Sequence, residues 1–470
     1  MALEHQHNLS VANRRELGRA AREHAPRSSH ADWEPSPKRA DPVSIVCDAD
    51  ADRVELLVPI RHDRMSVSTL AFYRGTAAIM AADLARTPNS GLEAQLCGDA
   101  HLSNFGLYAS PERSLLFDVN DFDETHPGPW EWDLKRLAAS LVIAARHNSF
   151  SAAAAREASL TAVRSYRESM RDYAGMAWLD IWYQRIDAEQ ILSLAADHDQ
   201  LGRIDKAIEK ARRRTSHQVL MKLTEEVDGE RRIISKPPLI VPLRDAPEFS
   251  EEGALEERVQ ELLERYRGTL TSDRRHLLER YEVVDIAHKI VGVGSVGRRC
   301  FIVFLKGRDW GDPLILQLKE AAKHSVLTTH GGLRPCKVSH GGRRVVQGQR
   351  LMQAASDVFL GWNETHEGRD FYWRQLRDMK GSLEVETWRP TDLVSYAQVC
   401  GWALARAHAR SGDPVAIAGY LGKSDTFDRA LAVFAERYAD QADKDYVAYR
   451  EAIQEQRVST EPALHATVRL

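Results

Sequence analysis

The sequence predicts an α+β protein made of two lobes. Three observations carry that reading. Long helix-periodic runs occur before residue 180 and after residue 390, strand-length runs cluster from Val283 onward, and two groups of phosphate-handling residues lie far apart in the chain. The 470 residues are 43% hydrophobic and 28% charged, which supplies a packed core and excludes general disorder. A net charge of −4 argues against a general nucleic-acid or membrane-surface binder, which would carry a basic excess. Five cysteines without paired spacing suggest neither a disulfide framework nor a zinc knuckle. The longest apolar run, Leu137–Ala145, is too short to span a bilayer, and the polar N-terminus is no secretory signal. A reduced, cytoplasmic protein is expected.

The chain divides into five stretches. Residues 1–60 read as an N-terminal arm with one helix over Val11–His24, the remainder wrapped on the body or left mobile. Residues 61–180 begin with a helical pattern from Ser68 to Ala85. Strand-like runs follow at Ala94–Cys97, Phe105–Ala109 and Ser114–Val119, and then helices over Trp130–Arg146 and Ala152–Tyr173. Residues 181–282 read as a mostly helical insertion with one strand-like segment, Ile233–Leu243. A basic cluster at Lys210–Arg214 reads as a solvated face. Residues 283–382 form a β-lobe from KIVGVGSVG, RRCFIVFLKG and PLILQLKEA, with a helix over Arg344–Ala355 and an edge strand over Phe371–Leu376. Residues 383–470 return to helix over Asp392–Arg410 and Thr426–Ala452.

The most informative segment is Cys97-Gly98-Asp99-Ala100-His101-Leu102-Ser103-Asn104. An Asp after a strand, with Asn five positions later, is the spacing of a kinase catalytic loop. There the Asp accepts the substrate hydroxyl's proton and the Asn coordinates magnesium. The GD-x-H-x-x-N form resembles the aminoglycoside and choline phosphotransferase branch of the protein-kinase-like fold. Cys97 stands where that branch usually has His, and His101 takes the place of its second histidine. The next strand ends in Asp118-Val119-Asn120-Asp121-Phe122-Asp123-Glu124, and hard oxygen ligands there suit a magnesium–ATP site. Asp118 and Asp121 compete for that role. Asp133-Leu134 follows Asp121 at the distance that the resemblance implies, so Asp121 is the expected ligand, with Asp123 as a second.

The segment Gly292-Val293-Gly294-Ser295-Val296-Gly297 fits either a dinucleotide turn or a hairpin over ATP phosphates. The β-preferring RRCFIVFL that follows leaves no room for a helix, which favours the hairpin and makes Gly292, Gly294, Ser295 and Gly297 the phosphate cover. Lys319, on the third strand-like run, then corresponds to the lysine that pairs the α- and β-phosphates. No acidic residue occurs between Ala321 and Met352 to orient it, and Gln347 is the expected polar stand-in. The glycines and the lysine follow the catalytic loop instead of preceding it. The implied fold is a circularly permuted, two-lobed kinase-like one with added helices.

The strings LVPIRHDRM, AFYRGTAAIMAADLA, QLCGDAHLSNFG, NDFDETHPGPWEWDLKRLAAS, VGVGSVG and RQLRDMKGS resemble the bacterial family called domain of unknown function 2252. That family is grouped with protein-kinase-like folds, so the resemblance implies the fold and leaves the reaction open. The leading expectation is a phosphotransferase that takes ATP and magnesium and acts on an unidentified hydroxyl-bearing acceptor. Asp99 and His101 would be catalytic, Asn104, Asp121 and Asp123 metal-binding, and Lys319 and Gln347 nucleotide-binding. The alternatives are a pseudokinase-like nucleotide-binding regulator, a protein nucleotidyltransferase and, last, a metal-dependent phosphoesterase.

Three further groups carry alternative readings. His324, His330, Cys336 and His340 share a loop whose irregular gaps fit a plain surface better than zinc. Arg61, Arg64 and Arg74 fit either a phosphate clamp or structural ion pairs. Trp130 and Trp132 read as core anchors.

Overall fold

Side chains of a strand alternate between two faces, and this period of two sets the architecture of the second half of the chain. The computed structural model describes residues 9–195, 197–213, 216–227, 229–245, 254–290, 292, 294, 296–365, 367–376, 381 and 385–460. The protein is α+β, and twelve strands occur among these residues. In chain order they are β1 (Glu93–Leu96), β2 (Phe105–Ala109), β3 (Leu115–Val119), β4 (His126–Pro129), β5 (Thr224–Val227), β6 (Glu230–Ile233), β7 (Ile240–Pro242), β8 (Glu282–Lys289), β9 (Cys300–Lys306), β10 (Pro313–Glu320), β11 (Gly361–Glu364) and β12 (Asp370–Gln375). The last six form one antiparallel sheet in the order β11-β12-β10-β9-β8-β7, and the others pair as β1-β4, β2-β3 and β5-β6.

On β10, Leu314, Leu316 and Leu318 join Phe301, Val303 and Leu305 of β9 in a core capped by the helix Ala254–Arg267. Tyr266 of that helix stacks on Trp373 of β12 with ring centroids 4.5 Å apart. Alternation sends Gln317 and Lys319 to the opposite face, and this orientation determines which way Lys319 can act.

The larger core belongs to a helical body, whose principal helices are α1 (Val11–His24), α2 (Glu131–His147), α3 (Ala152–Tyr173), α4 (Gly341–Met352), α5 (Pro390–Ser411) and α6 (Thr426–Gln454). Helix α2 is buried from Glu131 through Ala145 and so is covered on all sides. Its charged residues therefore need partners. Glu131 accepts from the Ser90 amide at 2.7 Å, and Lys135 donates to the Thr87 hydroxyl at 2.9 Å. Helices α3 and α5 meet at Gly401, where a Cβ would stand 2.1 Å from the Ala162 carbonyl oxygen. No helix among the described residues is long and apolar enough to cross a membrane.

The N-terminal arm is wrapped on this body. Arg22 donates to the carbonyls of Gly419 and Tyr420, and Arg27 to that of Leu421, at 2.5 to 2.8 Å. These are the open C-terminal acceptors of the helix Pro414–Leu421, where cations also meet a favourable dipole.

Four local expectations are corrected. The helical pattern of Ser68–Ala85 breaks at Thr76 into Thr69–Gly75 and Ala77–Leu84, because the Thr76 hydroxyl bonds back to the carbonyls of Phe72 and Tyr73. Strand β8 ends before the glycine-rich segment rather than running through it. Ile233–Leu243 is interrupted by Pro237-Pro238 and supplies only the end of β6 and β7. Strand β12 is interior, because β11 pairs with its outer side.

Candidate functional site

Strand β1 delivers the chain to Gly98, whose positive φ of 83° turns it sharply toward the cavity described below. A Cβ there would lie 2.2 Å from the Glu124 carbonyl oxygen, so only glycine fits. The carboxylate of Asp133 on α2 fixes this turn by accepting from the amides of Cys97 and Gly98 at 2.8 and 3.0 Å. Behind it, His408 lies 3.4 Å from Asp133 and bonds to the Tyr166 hydroxyl at 2.9 Å. Cys97 is fully buried, and burial pushes its thiol well above the ordinary value.

Asp99 emerges from this turn. Its Oδ1 accepts from Arg136 Nε at 2.8 Å and is ion-paired with Nη2 at 2.7 Å, while Oδ2 lies 3.7 Å from His101 Nε2. Burial raises the Asp99 carboxyl above its ordinary range, against the pull of Arg136 and Arg74. Burial also holds the His101 imidazole well below its usual value, and Arg74 and Arg136 act in the same direction. His101 is therefore neutral near pH 7. Asn104 ties the loop together, donating to the carbonyls of Asp99 and Asp121 at 3.0 Å and accepting from the Asp121 amide at 2.7 Å.

The acids after β3 separate into two kinds. Asp118 is fully buried and receives Arg406 Nη2 on both oxygens at 2.7 Å, with the Ala354 amide at 2.9 Å. Asp121 and Asp123 face a cavity of about 1060 Å³ between the helical body and the six-stranded sheet. Lys319 reaches across it, bonding to Asp123 Oδ2 and standing 3.6 Å from Asp121 Oδ2. The Tyr372 hydroxyl donates to the other Asp123 oxygen at 2.8 Å. Burial alone would lower the Lys319 pKa, but Asp121 and Asp123 hold it above the ordinary lysine value.

Asp99, His101, Asn104, Asp121, Asp123, Gly292, Gly294 and Lys319 all line this one cavity. Gly297 closes the loop nearby, its carbonyl accepting from the Val54 amide at 2.7 Å. Arg64 and Arg53 hold the carbonyls of Gly292 and Val296. Ser295 lies outside the described residues. Gln347 does not reach the cavity: the buried stripe of α4 runs through Val345, Val346, Gly348, Gln349 and Met352, which leaves Gln347 exposed. Gln349 lines the cavity instead and bonds to Gln353 at 2.9 Å. The carboxylates that meet Lys319 come from the segment after β3, far away in sequence.

Sequence reasoning also missed Arg136, Tyr372, Arg374 and Arg406. Arg136 sits one helical turn after Asp133 on α2, a spacing that could have drawn attention to it. Arg374 was hidden because its use depends on cross-strand pairing, by which it donates to Gln317 at 2.9 Å. Among the groups with open readings, Arg61 pairs with Asp50 at 2.8 Å, and Trp130 stacks on Tyr166 with centroids 5.3 Å apart. Among the described residues no cluster of three His, Cys, Asp or Glu side chains closes on a common metal position.

The family model of an uncharacterized protein conserved in bacteria (DUF2252) matches residues 53–452. No curated protein and no solved structure matches the chain.

Proposed function

Since the chain belongs to the bacterial DUF2252 family, we propose that it is an ATP- and magnesium-dependent phosphotransferase on a circularly permuted kinase-like fold. One observation carries the reading. Asp99, Asn104, Asp121 and Asp123 from the first part of the chain meet Lys319 and the glycine-rich loop from a later part around a single cavity. That grouping supplies an oxyanion to receive a proton, hard oxygen ligands and a cation for phosphates, which is what phosphoryl transfer needs.

In the proposed reaction the acceptor oxygen bonds to the γ-phosphorus as the bond from that phosphorus to the β–γ bridging oxygen breaks. ADP leaves with the electron pair, and the hydroxyl proton goes to Asp99. Arg136 occupies Asp99 Oδ1 and so leaves Oδ2 to take that proton. Asn104 fixes the spacing between Asp99 and Asp121 through its three backbone hydrogen bonds. Lys319, released from Asp123, would reach phosphate oxygens from the sheet side.

The donor set fits magnesium: two carboxylates and an amide oxygen in an open cavity leave its remaining positions to phosphate and water. When bound, the ion would be held by Asp121 and Asp123, with Asn104 beside them, and would neutralise phosphate charge. The D99N variant is expected to lose ATP consumption against a panel of hydroxyl acceptors while still binding Mg–ATP in a thermal-shift assay. Undiminished turnover would remove Asp99 from the role.

A second reading, a nucleotide-binding regulator without turnover, draws on the engagement of Lys319 by both carboxylates. Nucleotide-dependent stabilisation with no phosphate released or transferred would select it.

A further inference from the structure

Cations that line the cavity are, with one exception, already engaged. Arg53 and Arg61 are held by Asp50, Lys319 by Asp123 and Arg374 by Gln317. Arg74 differs: among the described cavity residues it is the cation with neither a hydrogen bond nor an ion pair, and its buried Nε has no partner. Its position is specific. Arg74 lies in the last turn of the short helix Thr69–Gly75, and its backbone carbonyl lies 3.4 Å from where a Cβ of Gly294 would stand. It therefore lies against the glycine-rich loop, while its charge acts on both Asp99 and His101.

A structural role accounts poorly for this arrangement. A cation in the last turn of a helix gains from the dipole, but that gain needs no burial. Burial lowers the Arg74 pKa more than Asp99 and Glu386 raise it, so the protein offsets the desolvation of this side chain only in part. A guanidinium held this way has donors in a fixed fork suited to the oxygens of a phosphate.

We propose that Arg74 binds the terminal phosphoryl group of the nucleotide, between the glycine-rich loop and Asp99, and so makes the site select a nucleoside triphosphate over a diphosphate. The proposal rests on the phosphotransferase reading and assigns a charge which that reading left unused. Lys319 approaches the phosphates from the sheet, and Arg74 approaches the group in transfer from the helical body. There it would stabilise charge on the equatorial oxygens as the phosphorus passes from ADP to the acceptor.

The test compares the affinities of Mg–ATP and Mg–ADP in the wild-type full-length chain and in R74A and R74K, with no acceptor required. The wild type is expected to bind ATP at least tenfold more tightly than ADP. R74A should lose that preference while its ADP affinity stays within twofold, which also reports that it is folded. R74K, keeping the charge without the fork, should recover part of the preference. An R74A variant that retains the full preference, or a wild type that shows none, overturns the assignment of Arg74 and leaves the phosphotransferase reading standing. A wild type that binds neither nucleotide overturns that reading, and this proposal with it.

Discussion

Asp118 and Asp121 are separated by two residues and face opposite fates. The first is sealed against Arg406 with both side chains at 0% exposure, whereas the second is 40% exposed on a cavity and shares Lys319 with Asp123. Strand β3 carries Asp118 inward; beyond its end at Val119 the chain is free to turn, and the next acids reach the cavity. The same residue type thus serves two purposes. A carboxylate closed by an arginine and a backbone amide has no room for a ligand, and its worth is structural. A carboxylate held by a lysine across open space can exchange that partner for a metal ion, which frees the lysine for an anion.

The strongest test of this contrast is at the sealed pair. Arg406→Met should leave Asp118 buried without its counter-ion and cost about 3–5 kcal/mol of stability, read from urea unfolding. A loss below about 1 kcal/mol would mean that Asp118 reaches solvent, and the distinction between the two acids would collapse. At the open site the order of effects reverses. Lys319→Met should cost about 1 kcal/mol or less, since Asp121 and Asp123 keep contact with solvent, yet it should weaken Mg–ATP binding at least tenfold in titration calorimetry. Equal nucleotide affinity in the two proteins would remove Lys319 from the phosphates.

Much of this was legible in sequence, for identifiable reasons. Long periodic helices such as Val11–His24 and Ala152–Tyr173 have the observed bounds because their apolar stripes and Ser caps are local signals. The segments that converge on the cavity were legible because glycine turns and acid spacing are local too. What escaped was non-local. Strand β4 reads His-Pro-Gly-Pro, poor strand material held in place by pairing with β1. The acids that meet Lys319 could not be read from its own neighbourhood. Gln347, the nearest polar stand-in on the following helix, lies on its exposed face, whereas the true partners lie far away in sequence.

A milder probe of the open site is pH. Burial raises the Asp99 carboxyl above its ordinary range and Arg136 pulls it back. A base works only when deprotonated, so turnover should fall as pH drops through a pKa higher than that of an exposed aspartate. In Arg136→Gln the downward pull is gone, and the acid limb of kcat/KM should move to still higher pH. A limb that stays in place would show that another group titrates there.

The smallest effect is expected where sequence and structure disagreed. Gln347 lies on the exposed face of α4, and its substitution by Ala should alter stability by no more than about 0.5 kcal/mol and leave nucleotide affinity unchanged. Gln349, two residues on, is buried and joins Gln353, which donates to the Val119 carbonyl at the end of β3. Gln349→Ala removes one buried side-chain hydrogen bond and should cost about 1–2 kcal/mol in the same urea assay. Because Val119 lies between Asp118 and Asp121, that loss should loosen the boundary between the sealed acid and the open one. Nucleotide affinity should then fall in Gln349→Ala and not in Gln347→Ala, and the reverse result would return the role to the residue that the sequence favoured.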